Sequence, residues 1–316
     1  MARVKKSAVL VGCNYANTRN ELHGCINDVL AMQATLIDRF GFETDDIKLL
    51  TDAPGSRIMP TGTNIKKVLG QMIDGAGPGD ILFFHYSGHG TLIPSHGHGP
   101  NKKDEAIVPC DFNLITDIDF RHLVNRLPKG ASFTIFSDSC HSGGLIDKEK
   151  EQIGPHVHDH GPHTNSGSHH RPKTIPFDSI LNHLTKISGI QSSDVGAHLS
   201  EVFGSDASAK FRSHSLQSGT SNRVGPDDGI LISGCQTNET SADMDPNDDG
   251  SKAYGAFSNA VQTVLEDHKG VISNRELVTR VREVLHVQGF KQHPCLYCSD
   301  QNADATFLRQ STSSSV

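Results

Sequence analysis

The 316-residue sequence contains no tryptophan, four tyrosines and seven cysteines, and it holds no long apolar run. Each shortage excludes something. Cysteine at about 2% of the chain is too sparse for a disulfide-stapled scaffold, and an odd count fits a reducing compartment. A membrane span needs about 18 consecutive apolar residues, so no membrane partner is expected. Behind the basic start Met1-Ala2-Arg3-Val4-Lys5-Lys6, the apolar stretch Ala8 to Val11 is shorter than the roughly 7–15 residues of a secretory signal. The expected location is cytoplasmic. Positive charge is also scarce: 29 Lys and Arg stand against 36 Asp and Glu, a net charge of −7. That balance excludes a nucleic-acid binder relying on a basic face. What is abundant is histidine, at nineteen residues.

Short β-rich runs alternate with helical patterns, the signature of a mostly parallel sheet with crossover helices in an α/β fold. Strands are expected at Ala8–Cys13, Ile47–Thr51, Asp80–Tyr86, Glu105–Cys110, Phe133–Ser137 and Gly229–Ser233. Several are nearly continuous apolar runs, as strands covered on both faces require. Helices are expected at Cys25–Phe40, Asn64–Ile73, Ile118–Leu127, Phe177–Ile187, Tyr254–Leu265 and Arg275–Val287. The alternation breaks between Gly154 and Pro172, where six of the histidines (His156, His158, His160, His163, His169 and His170) lie among Gly, Pro and Ser. Such a segment cannot offset its ordering entropy by burial and reads as a flexible linker or long surface loop. Ser205 to Asp228 is also expected to be irregular, and the tail from Ser311 to Val316 to fray.

Two apolar strands end in reactive text: Phe83-Phe84-His85-Tyr86-Ser87-Gly88-His89-Gly90 and Phe136-Ser137-Asp138-Ser139-Cys140-His141-Ser142-Gly143-Gly144. Ligands of open α/β sheets bind beyond the carboxyl ends of the strands, where both segments deliver side chains. Cys140 is the candidate nucleophile and His89 its base. The histidine precedes the cysteine by roughly the 50 residues seen in caspases. Asp138 lies two residues before Cys140, so while the strand period holds the two point the same way and a carboxylate stands beside the nucleophile. A pocket there should attract a cation.

With these motifs, and with Leu22-His23-Gly24-Cys25-Ile26-Asn27-Asp28, Ile230-Leu231-Ile232-Ser233-Gly234-Cys235-Gln236, Tyr254-Gly255-Ala256-Phe257-Ser258 and His293-Pro294-Cys295-Leu296-Tyr297-Cys298, the chain resembles the plant type II metacaspases, in particular their metacaspase-9-like branch. The resemblance implies a caspase-like three-layer α/β/α sandwich with a mostly parallel central sheet. It implies a large catalytic portion (1–153), a histidine-rich linker with a processing site (154–173), a small portion completing the same domain (174–310) and a disordered tail (311–316). It further implies a cysteine endopeptidase in which Cys140 attacks the scissile carbonyl and His89 shuttles the proton. The backbone N–H groups of Gly90 and Cys140 would hold the oxyanion. Asp28 and Ser87 would line the S1 pocket with Asp138, giving cleavage after Arg or Lys.

The family's processing cut follows a basic residue just before a Pro-Phe pair, here Lys173-Thr174-Ile175-Pro176-Phe177. Arg171 precedes Pro172, a poor substrate bond, which leaves Lys173–Thr174 as the expected cut; an unprocessed surface loop is the alternative. Asp104, Asp117 and Asp147 fall where the wider family gathers carboxylates around calcium, but Ile118 interrupts the acidic run. The metacaspase-9-like branch is calcium-independent and active at mildly acid pH, so no metal or cofactor is expected. Acid activity would also suit a vacuolar or extracellular setting after cell lysis.

Cys25 reads either as a secondary thiol near the site or as a plain buried cysteine. Cys295 and Cys298 have CxxC spacing without a second pair, which favours sheet core over zinc. His85 reads as a hydrogen-bonded structural residue. The linker histidines, with an ordinary pKa of about 6.5, could gate maturation by pH or be solvated filler. Expected partners are protein or peptide substrates with Arg or Lys at P1 and protein inhibitors. A monomer whose processed chains stay associated is expected. A catalytically silent scaffold of the same fold, a calcium-dependent metacaspase and a histidine-rich metal binder are the rival readings.

Overall fold

The computed structural model describes residues 4–94, 103–141, 145–146, 150–154, 170–212, 229–236, 239–247 and 250–308. Linker residues 155–169, Gly143-Gly144, Asp147 and the tail 311–316 lie outside the described residues.

The central sheet is built from β1 (Lys6–Gly12), β2 (Ile47–Thr51), β3 (Ile81–Ser87), β7 (Ser132–Asp138), β8 (Glu151–Ile153), β10 (Gly229–Ser233) and β13 (Cys295–Tyr297), in the order β2-β1-β3-β7-β10-β13-β8. The pairs from β2 through β10 are parallel, while β13 and β8 close the edge antiparallel. The sheet is therefore mixed and mostly parallel. Period-two alternation divides each strand between two cores. Ala8 and Leu10 of β1, Phe83 of β3 and Phe136 of β7 face helices α1 (Cys25–Asp38), α7 (Ala256–Asp267) and α8 (Asn274–Val287). Val9, Val11, Phe84 and Ile135 face α2 (Gly62–Asp74) and α3 (Asp117–Val124) on the other side. Burial on both faces is why these strands read as continuous apolar runs.

A second, antiparallel sheet joins β4 (Gly90–Pro94), β5 (Lys103–Ile107) and β6 (Ile115–Thr116). It shares a third core, with Ile93, Ala106, Ile180, Leu184 and Leu199, beneath α4 (Phe177–Ser188) and α5 (Val195–Phe203). A third sheet consists of β9 (His170–Pro172), β11 (Ala242–Met244) and β12 (Tyr254–Gly255).

Three sequence expectations are corrected. The run Glu105–Cys110 is strand only as far as Ile107 and belongs to the small antiparallel sheet, because it pairs as a hairpin with β4. Tyr254 and Gly255 form β12, so α7 starts at Ala256. The start of the stretch expected to be irregular carries a 3₁₀ turn, Gly204–Asp206, and a helical turn α6 (Ala209–Arg212) held by the Ala209 N–H donating to Asp119. Among the described residues no helix is long and apolar enough to cross a membrane.

Candidate active site

The parallel register of β3 and β7 sets Ser87 directly opposite Asp138 at the carboxyl ends of the two strands. The first turn of α1 brings Asp28 over the same spot, and all three side chains are buried. Asp28 accepts from Ser87 Oγ (2.7 Å) and from the Gly255 N–H (2.8 Å). Asp138 accepts from Ser241 Oγ (2.6 Å) and from both the N–H and Oγ of Ser258 (3.0 and 2.7 Å).

Into this carboxylate pair the chain inserts its own Lys173, which is 0% exposed. Its Nζ lies 3.2 Å from Asp28 Oδ2, 3.2 Å from Asp138 Oδ2 and 2.9 Å from Ser87 Oγ. Burial alone would neutralise an ammonium, but Asp138, Asp28 and neighbouring groups outweigh it and hold Lys173 above its ordinary range. Burial also pushes Asp28 up to about 6, with Lys173 opposing and Asp138 adding to the rise. For Asp138, burial is overcome by Lys173 and the serine hydrogen bonds, which keep its carboxyl below the ordinary value. Gly255 closes the pocket: a Cβ there would stand 2.2 Å from Lys173 Nζ and 2.2 Å from Asp138 Oδ2.

The backbone carrying Lys173 is held like an added strand. In β9, Pro172, Arg171 and His170 pair antiparallel with Ala242, Asp243 and Met244 of β11. The Lys173 N–H donates to Ser241 O (2.9 Å). The Lys173 carbonyl, which is the carbonyl of the 173–174 bond, accepts from the Gly90 N–H (3.0 Å) and the Cys140 N–H (3.2 Å). On the far side, Thr174 bridges to Gly90 and the Ile175 N–H donates to Gly90 O (3.1 Å). Gly90 has no room for a side chain, since its Cβ would lie 1.8 Å from Cys140 O. After Cys140 the chain turns through a positive φ of 55° at His141, and the Cys140 sulfur accepts from the Ser241 N–H (3.0 Å).

His89 is wedged against the Tyr15 ring, with centroids 4.7 Å apart, and its Nε2 meets Asn20 O at 2.7 Å. A carbonyl only accepts, so Nε2 carries the proton and the Nδ1 lone pair is left buried without a hydrogen-bond partner among the described residues. Burial pulls the His89 pKa down to about 4, with the Asn20 carbonyl opposing and the Lys173 ammonium assisting. The ring is therefore neutral, in the tautomer that can take up a proton at Nδ1. A polarised carbonyl, an adjacent thiol and a neutral imidazole are the requirements for acyl transfer.

The structure thus brings Asp28, Ser87, Gly90, Asp138 and Cys140 into contact with Lys173, and sets Thr174 at Gly90. Cys25 is buried, and burial raises its thiol well above the ordinary range, with Lys173 opposing. His85 Nε2 meets Ser258 Oγ at 3.3 Å, and burial lowers its pKa to about 3. Cys295 and Cys298 are buried at and beside β13, and no group of three or more metal-capable side chains occurs among the described residues. Asp104 Oδ2 and Asp117 Oδ1 lie 2.5 and 3.5 Å from Lys210 Nζ. Asn20, Ser241, Gly255 and Ser258 received no role from the sequence. Asn20 acts through its main chain, Gly255 through lacking a side chain, and Ser241 and Ser258 lie more than a hundred residues from the Asp138 they bind.

A sequence profile of the caspase domain matches residues 5–306. Metacaspase-9 of Arabidopsis thaliana is 59% identical over 97% of this chain and 97% of its own length. Metacaspase-6 of the same plant is 37% identical over 96% of this chain and 99% of its own. The solved structure of caspase-1 from Spodoptera frugiperda superposes with a TM-score of 0.50 at 11% identity, covering 98% of this chain and 92% of that one, a likeness of fold alone.

Proposed function

The chain belongs to the caspase-domain family as a metacaspase, a cysteine-type peptidase acting on proteins, and from that premise we propose that it cleaves after Arg or Lys and matures by cutting its own Lys173–Thr174 bond. The observation that carries this reading is the Lys173 side chain seated between Asp28 and Asp138 while its carbonyl takes the N–H groups of Gly90 and Cys140. In that pose residues 170–174 act as a tethered substrate, added to β11 as an edge strand. Lys173 occupies S1. Cys140 Sγ attacks the Lys173 carbonyl carbon, and the two N–H groups stabilise the oxyanion as it forms. His89 Nδ1 accepts the thiol proton and returns it to the Thr174 nitrogen as the bond breaks. Water then releases the acyl group from Cys140, with His89 again as base. The two carboxylates fix the sign of the P1 charge, and a P1 Asp would meet like charges in a buried site. After cleavage the portions on either side of the linker remain one domain, because β10 pairs with β7 and the Ser241 and Ser258 side chains bind Asp138. The proposed active unit is thus a monomer of associated chains.

The reading includes independence from calcium. The side chains that would gather around the ion do not present an open site, because Asp104 and Asp117 are already bridged by the Lys210 ammonium. Asp147, the third expected carboxylate, lies outside the described residues. The reading also takes in activity at mildly acid pH and a role in plant cell death or stress proteolysis, as the resemblance to the metacaspase-9-like branch implies. Incubation with peptides that end in Arg, Lys, Met or Asp before the reporter group tests the reading. Hydrolysis of the first two by the wild type, and of none by Cys140→Ala, supports it; cleavage after Asp overturns it.

A further inference from the structure

Beyond the ends of the paired strands β7 and β10, the chain keeps two thiols side by side. Ser137 lies opposite Ser233, and the Gly234 N–H extends the ladder to Ser137 O (2.8 Å). Two residues further, Cys235 runs alongside Ser139, and its sulfur lies 3.6 Å from Ser139 O, the oxygen of the peptide unit that carries the Cys140 N–H. Residues 239–241 then wrap both sulfurs: Glu239 O lies 3.7 Å from Cys235 Sγ, and the Ser241 N–H donates to Cys140 Sγ. Both side chains are 0% exposed. The Cys140 side chain, followed by burial, pushes the Cys235 thiol well above its ordinary range, so the two groups feel one another directly.

The backbone suits a bond between them. Both residues lie past the last ladder positions, Asp138 and Ser233, so period-two alternation no longer holds their side chains on opposite faces, and residues 239–241 close on the two sulfurs together. Peptide cleavage, as derived above, makes no use of Cys235.

We propose that Cys235 is a resolving thiol for Cys140, so that a hydroperoxide switches the processed peptidase off reversibly through a Cys140–Cys235 disulfide; this rests on Cys140 being the nucleophile. The Cys140 thiolate attacks the terminal peroxide oxygen, an S–O bond forms, the O–O bond breaks and the alcohol or water leaves. The Cys235 sulfur then attacks the Cys140 sulfur of the sulfenic acid. The S–S bond forms, the S–O bond breaks, and the hydroxyl departs as water with the Cys235 proton. Two electrons pass from the two thiols to the peroxide, and a dithiol returns them. In the uncut chain Lys173 covers Cys140, so the switch operates once the linker strand has left the cleft. Its effect is to spare the nucleophile from irreversible oxidation.

The test takes the processed protein, wild type and Cys235→Ala, through hydrogen peroxide and then dithiothreitol, with activity on an Arg-ended peptide read at each stage. Oxidised samples are digested without reduction for mass analysis. Expected are a Cys140–Cys235 linked peptide pair, two hydrogens lighter than the sum of its parts, and recovery in Cys235→Ala at least about three-fold lower than in the wild type, because its sulfenic acid proceeds to the sulfinic state. Equal recovery in both proteins, or a bridge from Cys140 to Cys25 instead, overturns the proposal. Should the alanine variant fail to fold, Cys235→Ser and the wild-type mass readout decide alone. Absence of activity before peroxide would count against the peptidase reading, whereas the linked pair is scored independently of activity.

Discussion

Replacing Lys173 by methionine keeps the length of the side chain and deletes the charge on which the proposed self-cleavage depends. At 3.2 Å from each of Asp28 and Asp138, and with an effective dielectric of about 20, each ion pair is worth roughly 5 kcal/mol, or about 10 for the two. Stripping water from the ammonium and from two buried carboxylates cancels much of this, and breaking such a buried pair costs a net of about 3–5 kcal/mol. The linker strand is free to leave the pocket rather than strand two unpaired carboxylates in it. The penalty therefore falls on occupancy of the cleft rather than on the fold. At about 1.4 kcal/mol per factor of ten, cutting at the 173–174 bond should slow by two to three and a half orders of magnitude. Lys173→Arg restores the charge and should be cut within about ten-fold of the wild-type rate, since guanidinium also pairs with carboxylates. The assay is the time course of conversion of the full chain to two fragments, resolved on denaturing gels. Equal rates for Lys173→Met and wild type, or an Arg variant as slow as the Met variant, would refute the reasoning.

Gly255→Ala places a methyl against Lys173 Nζ and both carboxylates, so kcat/KM for Arg- and Lys-ended peptides should fall at least about 10²-fold through KM while the fold persists; unchanged KM contradicts the pocket. Asp138→Asn should cost more than Asp28→Asn on the same peptides, because Asp138 stays ionised whereas Asp28 is already raised to about 6. Steady-state kinetics with both variants checks the order. Burial holds His85 at about 3 against roughly 6.5 in an unfolded chain. A base depressed on folding gives stability that is present above pH 6.5 and is lost as pH falls, since the unfolded chain takes up the proton first. In a Cys140→Ala background, His85→Gln should remove roughly 3 kcal/mol of the acid-induced loss between pH 6.5 and 4, read by urea denaturation at each pH; identical pH slopes contradict it. Lys210→Met leaves Asp104 and Asp117 facing one another, so its Tm should fall by about 2–5 °C and rise again with millimolar calcium. Wild-type Tm should ignore the ion; a calcium-responsive wild type overturns the reading.

The long elements were legible because their cores impose a period: Ala8 and Leu10 against Val9 and Val11 in β1, and the continuous apolar run of β3. Strands of two or three residues, such as β11 and β12, impose none, and their place is set by partners far along the chain. The candidate site divides the same way. Cys140, His89 and Asp138 stand at the ends of legible strands, and the family resemblance supplied Asp28, Ser87 and the Lys173 cut. Lys173 closes a polar, histidine-rich segment in which nothing local announces its complete burial; only the convergence of α1, β3 and β7 does. Gly255 acts through the lack of a side chain and Asn20 through its carbonyl. Their identities therefore carry no chemical signal.

The most direct measurement is the amino-terminal residue of the smaller fragment when freshly produced protein is left to mature, determined by intact mass and end-group sequencing for the wild type and for Cys140→Ala. Thr174 as the new terminus in the wild type, and an uncut chain in Cys140→Ala, is the result expected if Lys173 is the residue held in S1 and Cys140 the nucleophile. A different first residue, or the same cut in the variant, would contradict it.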